Sequence, residues 1–225
     1  EGVVSEEAIR AELAAHADST ALLTVMWANN EVGTVQDIPA ITALAHEYGV
    51  PVHTDAVQAF GSLPVNFRAA GVDTMAISGH KIGGPVGVGA LVVGRAVKLT
   101  PVMHGGGQER DIRSGTLDTP GIAAFAAAAR EATENLPAES ARLRQLRDTL
   151  IAGVEREIPD AVLRGAREEQ SGDTDRQGMP RRLPGNAHFT FPGCEGDSLL
   201  FLLDLAGVES STGSACTAGV PRPSH

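Results

Sequence analysis

Three apolar runs of strand length, each closed by a cluster of polar, chemistry-bearing residues, constrain this chain more than any other feature. ALLTVMWA at 21–28 leads into Asn29-Asn30-Glu31, VPVHTDA at 50–56 carries His53 and Asp55 and leads to Gln58, and TMAIS at 74–78 leads into Gly79-His80-Lys81. Between the first two, residues 38–48 set Ile38, Ile41, Leu44, Ala45 and Tyr48 at helical spacing and stop at Gly49. Residues 5–15 begin with Ser5 as N-cap and two acids in the first turn, then place Ile9 and Leu13 four apart, which predicts a helix. After a Gly-rich turn, 87–94 reads as a further strand. Strand, helix, strand in this order implies an α/β domain with a largely parallel sheet. Sheets of that kind gather ligands at the carboxyl ends of their strands, where all three polar clusters fall.

The second half reads differently. An Ala-rich helix is expected over 121–134 and an amphipathic one over 139–158, with Leu143, Leu146, Leu150, Ile151, Val154 and Ile158. Residues 166–184 are polar and Gly/Pro-containing and predict an exposed, mobile loop, followed by a strand at 186–191 and a helix at 196–206. A boundary near 136 divides the 225 residues into two units, 1–136 and 137–225, in line with about 150 residues per domain.

Charge and cysteine usage exclude several function classes. Lys plus Arg is 18 and Asp plus Glu 28, a net charge of −10, and an acidic surface repels phosphate backbones. The longest apolar runs, Ile122 to Ala129 and Leu199 to Leu203, fall far short of the ~20 residues of a membrane-spanning helix. Two cysteines, Cys194 and Cys216, make no disulfide framework and have no zinc-ligand spacing, so a reducing cytosol is expected. Glu1 is not Met, no signal segment follows it, and both ends read as cut.

Within the polar clusters, Lys81 at the end of an apolar strand and wrapped in glycines suits a Schiff-base amine, desolvated so that it is partly neutral; a solvated turn lysine is the alternative. Asp55 after an apolar strand is expected to be buried, and a buried carboxylate needs a partner; a protonated pyridine nitrogen would serve, and a helix N-cap is the alternative. Cys216, in the small, polar run 210–219, is expected on an accessible loop as a nucleophile, while Cys194 in a turn is structural. The run His104 to Arg110, with Arg113 to Thr116, carries donors suited to phosphate, or serves as a flexible connection.

Asn-Asn-Glu-Val-Gly-Thr at 29–34, His-Thr-Asp-Ala-Val-Gln at 53–58, Ser-Gly-His-Lys at 78–81, Gly-Gly-Gly-Gln-Glu-Arg at 105–110, Arg-Ser-Gly-Thr at 113–116 and Ser-Ser-Thr-Gly-Ser-Ala-Cys-Thr-Ala-Gly at 210–219 together resemble the motifs of the pyridoxal-phosphate cysteine desulfurases, relatives of the class V aminotransferases, in their iron–sulfur-cluster branch. The resemblance runs along nearly the whole chain, excepting 166–184. It implies the aspartate aminotransferase-like fold (fold type I), with a mostly parallel sheet in a large domain and a smaller α+β domain. It also implies pyridoxal 5′-phosphate as cofactor, held covalently by Lys81, with Asp55 on the ring nitrogen and Gln58 and Asn30 on the phenolic oxygen side and the substrate. Ser78 and His80 would bind phosphate, and Thr116 would reach the phosphate of the neighbouring subunit in a homodimer. Lys81 would carry the substrate proton, with His80 beside it in the catalytic set. Cys216 would attack the sulfur of bound L-cysteine, leaving alanine and a persulfide that passes to an iron–sulfur scaffold or sulfur-carrier protein.

No metal ligand is implied beyond an iron–sulfur contact at Cys216. Set against the resemblance, a Gly-Thr phosphate segment and a ring-stacking His upstream, and a carboxylate-binding Arg downstream, are missing, so the chain reads as an incomplete piece of the family. A selenocysteine lyase and a non-catalytic sulfur-transfer scaffold are the competing expectations.

Overall fold

The structure, a computed structural model, describes residues 2–167 and 178–213. Elements α1 (Glu6–His16), β1 (Leu23–Met26), α2 (Ile38–Glu47), β2 (Val52–Asp55), α3 (Phe67–Ala70), β3 (Thr74–Ser78) and β4 (Gly89–Val93) build the first half. The four strands form one sheet in the order β1-β2-β3-β4; β1, β2 and β3 are mutually parallel and β4 returns antiparallel to β3. Helix caps follow the sequence closely. The side chain of Ser5 accepts from the Ala8 amide, that of Asp37 from Ala40 and that of Asn66 from Ala69, each satisfying a donor that the first helical turn leaves free. The core lies between the sheet and the helix pair α1/α2, where Ile9 and Leu13 meet Ile38, Ile41 and Leu44 above Val50 and Val52.

The pleat decides which sheet face is left open. Val52 and Thr54 are buried in that core, so His53 and Asp55 point to the other face. In register with Asp55 stand Met26 on β1 and Ala76 on β3, and two residues beyond Ala76 on the same face comes Ser78. A hydrogen bond of 2.8 Å between His53 Nδ1 and Thr74 Oγ1 runs across this face.

The second half holds one helix where two were expected. Helix α4 runs unbroken from Thr119 to Glu157 with Pro137 inside it, so position 136 falls within an element. After it come β5 (Val162–Leu163), β6 (Phe189–Thr190) antiparallel to β5, and α5 (Gly196–Leu205). The expected loop 166–184 is also corrected at both ends. Ala166 and Arg182 are each 1% exposed, and Leu183 is 7% exposed and part of the core; residues 168–177 lie outside the described residues. Among the described residues no helix is long and apolar enough to cross a membrane, and no cluster of metal-ligating side chains occurs.

Candidate active site at the carboxyl edge of the sheet

Parallel pairing brings the ends of β1, β2 and β3 to one edge, and with them Asn29-Asn30, Asp55 and Ser78. Backbone bonds continue the sheet past the strands: the Trp27 amide donates to the Asp55 carbonyl at 2.7 Å and the Ala56 amide to the Ala76 carbonyl at 2.9 Å. Directly after Ser78, a single 3-10 turn (Gly79–Lys81) carries His80 and Lys81. Lys81 and Asp55 thus stand at the ends of neighbouring strands, on one edge of one sheet.

Two expectations about these residues need correcting. Asp55 is exposed, because the pleat turns it to the open face; its Oδ1 accepts from the Val57 amide at 2.8 Å in a local turn, so it caps no helix, the alternative weighed for it. Lys81 is exposed as well, since it lies on a turn beyond the strand end, outside the sheet's hydrophobic contacts. Both groups are therefore open to solvent and to anything binding at the edge. The hydroxyl of Ser78 and the ring Nδ1 of His80 lie 2.7 Å apart, which couples the two groups expected to meet phosphate. Gln58 is half-buried in the turn after β2, Asn30 half-buried after β1, and Thr116 exposed near the start of α4.

The glycines around Lys81 have a packing reason. A methyl built on Gly84 would sit 2.9 Å from the Gly79 carbonyl oxygen and 3.3 Å from the Cβ of Ala128, and one on Gly79 would sit 3.3 Å from the Phe125 ring. On the preceding turn, one on Gly61 would come within 2.6 Å of Ile82 and 3.3 Å of Ala132. Phe125, Ala128 and Ala132 recur at helical spacing, so one stripe of α4 lies directly on the turn that presents Lys81. The absence of side chains at 61, 79 and 84 is what allows the helix to fix that turn.

The segment at 104–116, expected to carry donors for phosphate or to serve as a flexible connection, is partly held by its own hydrogen bonds. The Gly107 amide donates to Ser114 Oγ at 3.4 Å and the Gly115 amide to Gln108 Oε1 at 3.0 Å, so two of its donors serve the loop itself. Glu109, Arg110 and Asp111 are consecutive left-handed residues, with φ of 48°, 60° and 62°, a backbone conformation that is costly outside glycine. Cys216, the expected nucleophile, lies outside the described residues; Cys194 is exposed.

Sequence reasoning missed the residues that hold the Asn30 loop. Asn29 shapes it from within, its Oδ1 accepting from the amides of Glu31 and Val32, both at 2.9 Å. From the second half of the chain, Asn186 Nδ2 donates to the Glu31 carbonyl at 2.8 Å, Arg182 Nη1 to the Val32 carbonyl at 3.0 Å and the Leu183 amide to the Gly33 carbonyl at 2.8 Å. The available signal was the apolar pair Leu183-Pro184 closing an otherwise polar run.

The aminotransferase class-V family profile matches residues 1–225. The chain belongs to the class V aminotransferase family. It is 55% identical over its whole length to an IscS-like cysteine desulfurase of Mycobacterium tuberculosis, of which it covers 54%, and 43% identical over its whole length to the cysteine desulfurase IscS of Clostridium botulinum, of which it covers 53%. Among solved structures, a NifS-like protein from Rickettsia africae superposes with a TM-score of 0.84 at 33% identity, over 95% of this chain and 56% of that one. The expected fold class, with its mostly parallel sheet, agrees with that superposition. The chain spans about half the length of the curated relatives it matches.

Proposed function

We propose that this chain carries the pyridoxal-phosphate site of a cysteine desulfurase. Such an enzyme converts L-cysteine to L-alanine, takes the sulfur as a persulfide on Cys216 and passes it to an iron–sulfur scaffold or sulfur-carrier protein. The observation that carries the reading is the placement of Asp55, at the end of β2, and Lys81, on the turn directly after β3, at one sheet edge. The donor set suits the cofactor: an amine for its aldehyde, a carboxylate for its ring nitrogen, and the Ser78 hydroxyl and His80 imidazole for its phosphate. Pyridoxal phosphate, when bound, supplies an electron sink for the substrate α-carbon.

Each protein group then has a defined task. The Asp55 carboxyl would face the ring nitrogen and favour its protonated form by charge. Lys81 Nζ would be the attachment point for the cofactor, and the same amine would carry the proton from the substrate α-carbon. Asn30 and Gln58 contact the phenolic oxygen side and the substrate, and Thr116 serves the phosphate of a second subunit in a homodimer. The Cys216 thiolate forms a bond to the substrate sulfur as the carbon–sulfur bond breaks; the carbon left behind gains a proton and leaves as the methyl group of alanine, with no external oxidant. We assign the cofactor residues to a unit spanning 1–136 and the thiol to one spanning 137–225, and place the reaction in the cytoplasm, where Cys216 stays reduced.

The test is intact-mass analysis after incubation with pyridoxal phosphate and reduction with borohydride. The expected result is one stable cofactor adduct mapped to Lys81, absent in Lys81→Ala, and sulfide release from L-cysteine. An adduct on Lys98 or the N-terminal amine in place of Lys81, or none at all, overturns the reading. Faster selenide release from L-selenocysteine than sulfide release from L-cysteine would move the activity to the competing lyase.

A further inference from the structure

The guanidinium of Arg182 is 1% exposed and is surrounded by backbone carbonyls. Its Nε donates to Ala166 O at 2.9 Å, Nη1 to Val32 O at 3.0 Å and more distantly to Asn186 O at 3.4 Å, and Nη2 to Arg164 O. A buried cation is costly unless its donors are used, and here three separate stretches of backbone are drawn onto one planar group. One of them is the loop that presents Asn30. Around Arg182 the same loop is fixed again: Val35 donates to Arg181 O at 2.9 Å, Leu183 to Gly33 O at 2.8 Å and Ala166 to Thr34 Oγ1 at 2.9 Å. Gly33, at φ 73°, is pressed so closely on Asn186 that a methyl there would stand 2.5 Å from its Oδ1. The carbonyls of three successive residues, Glu31, Val32 and Gly33, are therefore all taken by residues 182–186.

We infer that Arg182, with Asn186, is a positioning residue for Asn30: it sets where that side chain stands at the sheet edge by holding the backbone on its C-terminal side. The inference rests on the proposed contact of Asn30 with the cofactor's phenolic oxygen side. Lysine cannot replace arginine in this role, since one ammonium cannot reach the Ala166 and Val32 carbonyls together in the fork geometry.

The experiment uses the full chain carrying Arg182→Lys, Asn186→Ala, Asn30→Ala, and Asn30→Ala combined with Asn186→Ala, with two readouts. In the cofactor-free protein, amide hydrogen exchange at Gly33 and Val35 is expected to speed up by about tenfold in Arg182→Lys and Asn186→Ala while β2 and β3 keep their protection. In the protein loaded with pyridoxal phosphate, the pH midpoint of the visible band is expected to move in the same direction in Asn186→Ala as in Asn30→Ala, and the double variant is expected to move it less than the sum of the two. Unchanged exchange at Gly33 and Val35 in Asn186→Ala overturns the positioning role, and so do fully additive midpoint shifts. If no band forms in the unsubstituted protein, the functional reading fails, and the exchange measurement still decides the role of Arg182 and Asn186. If Arg182→Lys does not fold, Asn186→Ala decides alone.

Discussion

At the residue scale the site depends on a few side chains whose type, not merely their polarity, matters. Cys216→Ser is expected to leave the visible band of bound pyridoxal phosphate intact while abolishing persulfide formation, read by mass spectrometry after one turnover with L-cysteine. Gly33→Ala is expected to destabilise the protein by about 1–3 kcal/mol, since it combines a left-handed backbone with a collision against Asn186; a denaturant titration reads it. The order Asn30, Asp55, Ser78, Lys81 was legible because these residues stand at or just past the ends of three apolar runs, and parallel pairing converts that order into one edge. Arg182 was not legible. The apolar pair Leu183-Pro184 beside it marks only that the chain returns to the core there, and the burial of Arg182 itself comes from contacts about 150 residues away with the Asn30 loop. The exposure of Asp55 was missed for a simpler reason: an apolar strand before it gives burial on one face only, and its parity puts it on the other.

At the level of elements, the packing of α4 on the Lys81 turn makes glycine the residue of choice at 84. Gly84→Ala is expected to cost about 1–3 kcal/mol and to weaken cofactor attachment, because the new methyl meets a carbonyl oxygen and Ala128. The two helices expected at 121–134 and 139–158 flank Pro137, a residue that lacks the amide the helical ladder uses. The helix continues because its flanks are anchored on both sides of the proline. Phe125 is buried on the Lys81 turn, Ser140 Oγ donates to Ser62 O at 3.1 Å and the buried Arg147 Nη1 to Leu183 O at 3.1 Å. Pro137→Ala is accordingly expected to raise stability by about 1–3 kcal/mol, seen as a higher midpoint in thermal unfolding. Just beyond it, Arg142 beside Glu139 (Nε to Oε2, 2.9 Å) holds that carboxyl below its ordinary value. A depressed carboxylate stabilises the fold above its unfolded value and loses that contribution as pH falls through the lowered one. In Arg142→Gln the Glu139 titration, followed by NMR, is expected to return upward.

Across the whole molecule, apolar side chains are distributed unevenly. The core between the sheet and α1/α2 is closed, yet Leu91 on β4 is 51% exposed, and on α5 Phe201, Leu202 and Leu205 are 62%, 61% and 69% exposed. Parallel sheets ordinarily have both faces covered, and an exposed apolar helix face such as that of α5 associates or binds hydrophobic probes. The chain on its own is expected to bind an anilinonaphthalene dye, and Phe201→Glu combined with Leu205→Glu to reduce that binding without lowering the thermal midpoint. The latch of residues 182–186 on the Asn30 loop also joins the start of the chain to its last third across the long helix between them. A hybrid gene spliced inside α4 from two relatives would therefore inherit the loop from one parent and its fastener from the other. Such recombinants should assemble only when the pair at 33 and 186 and the arginine at 182 come as a matched set.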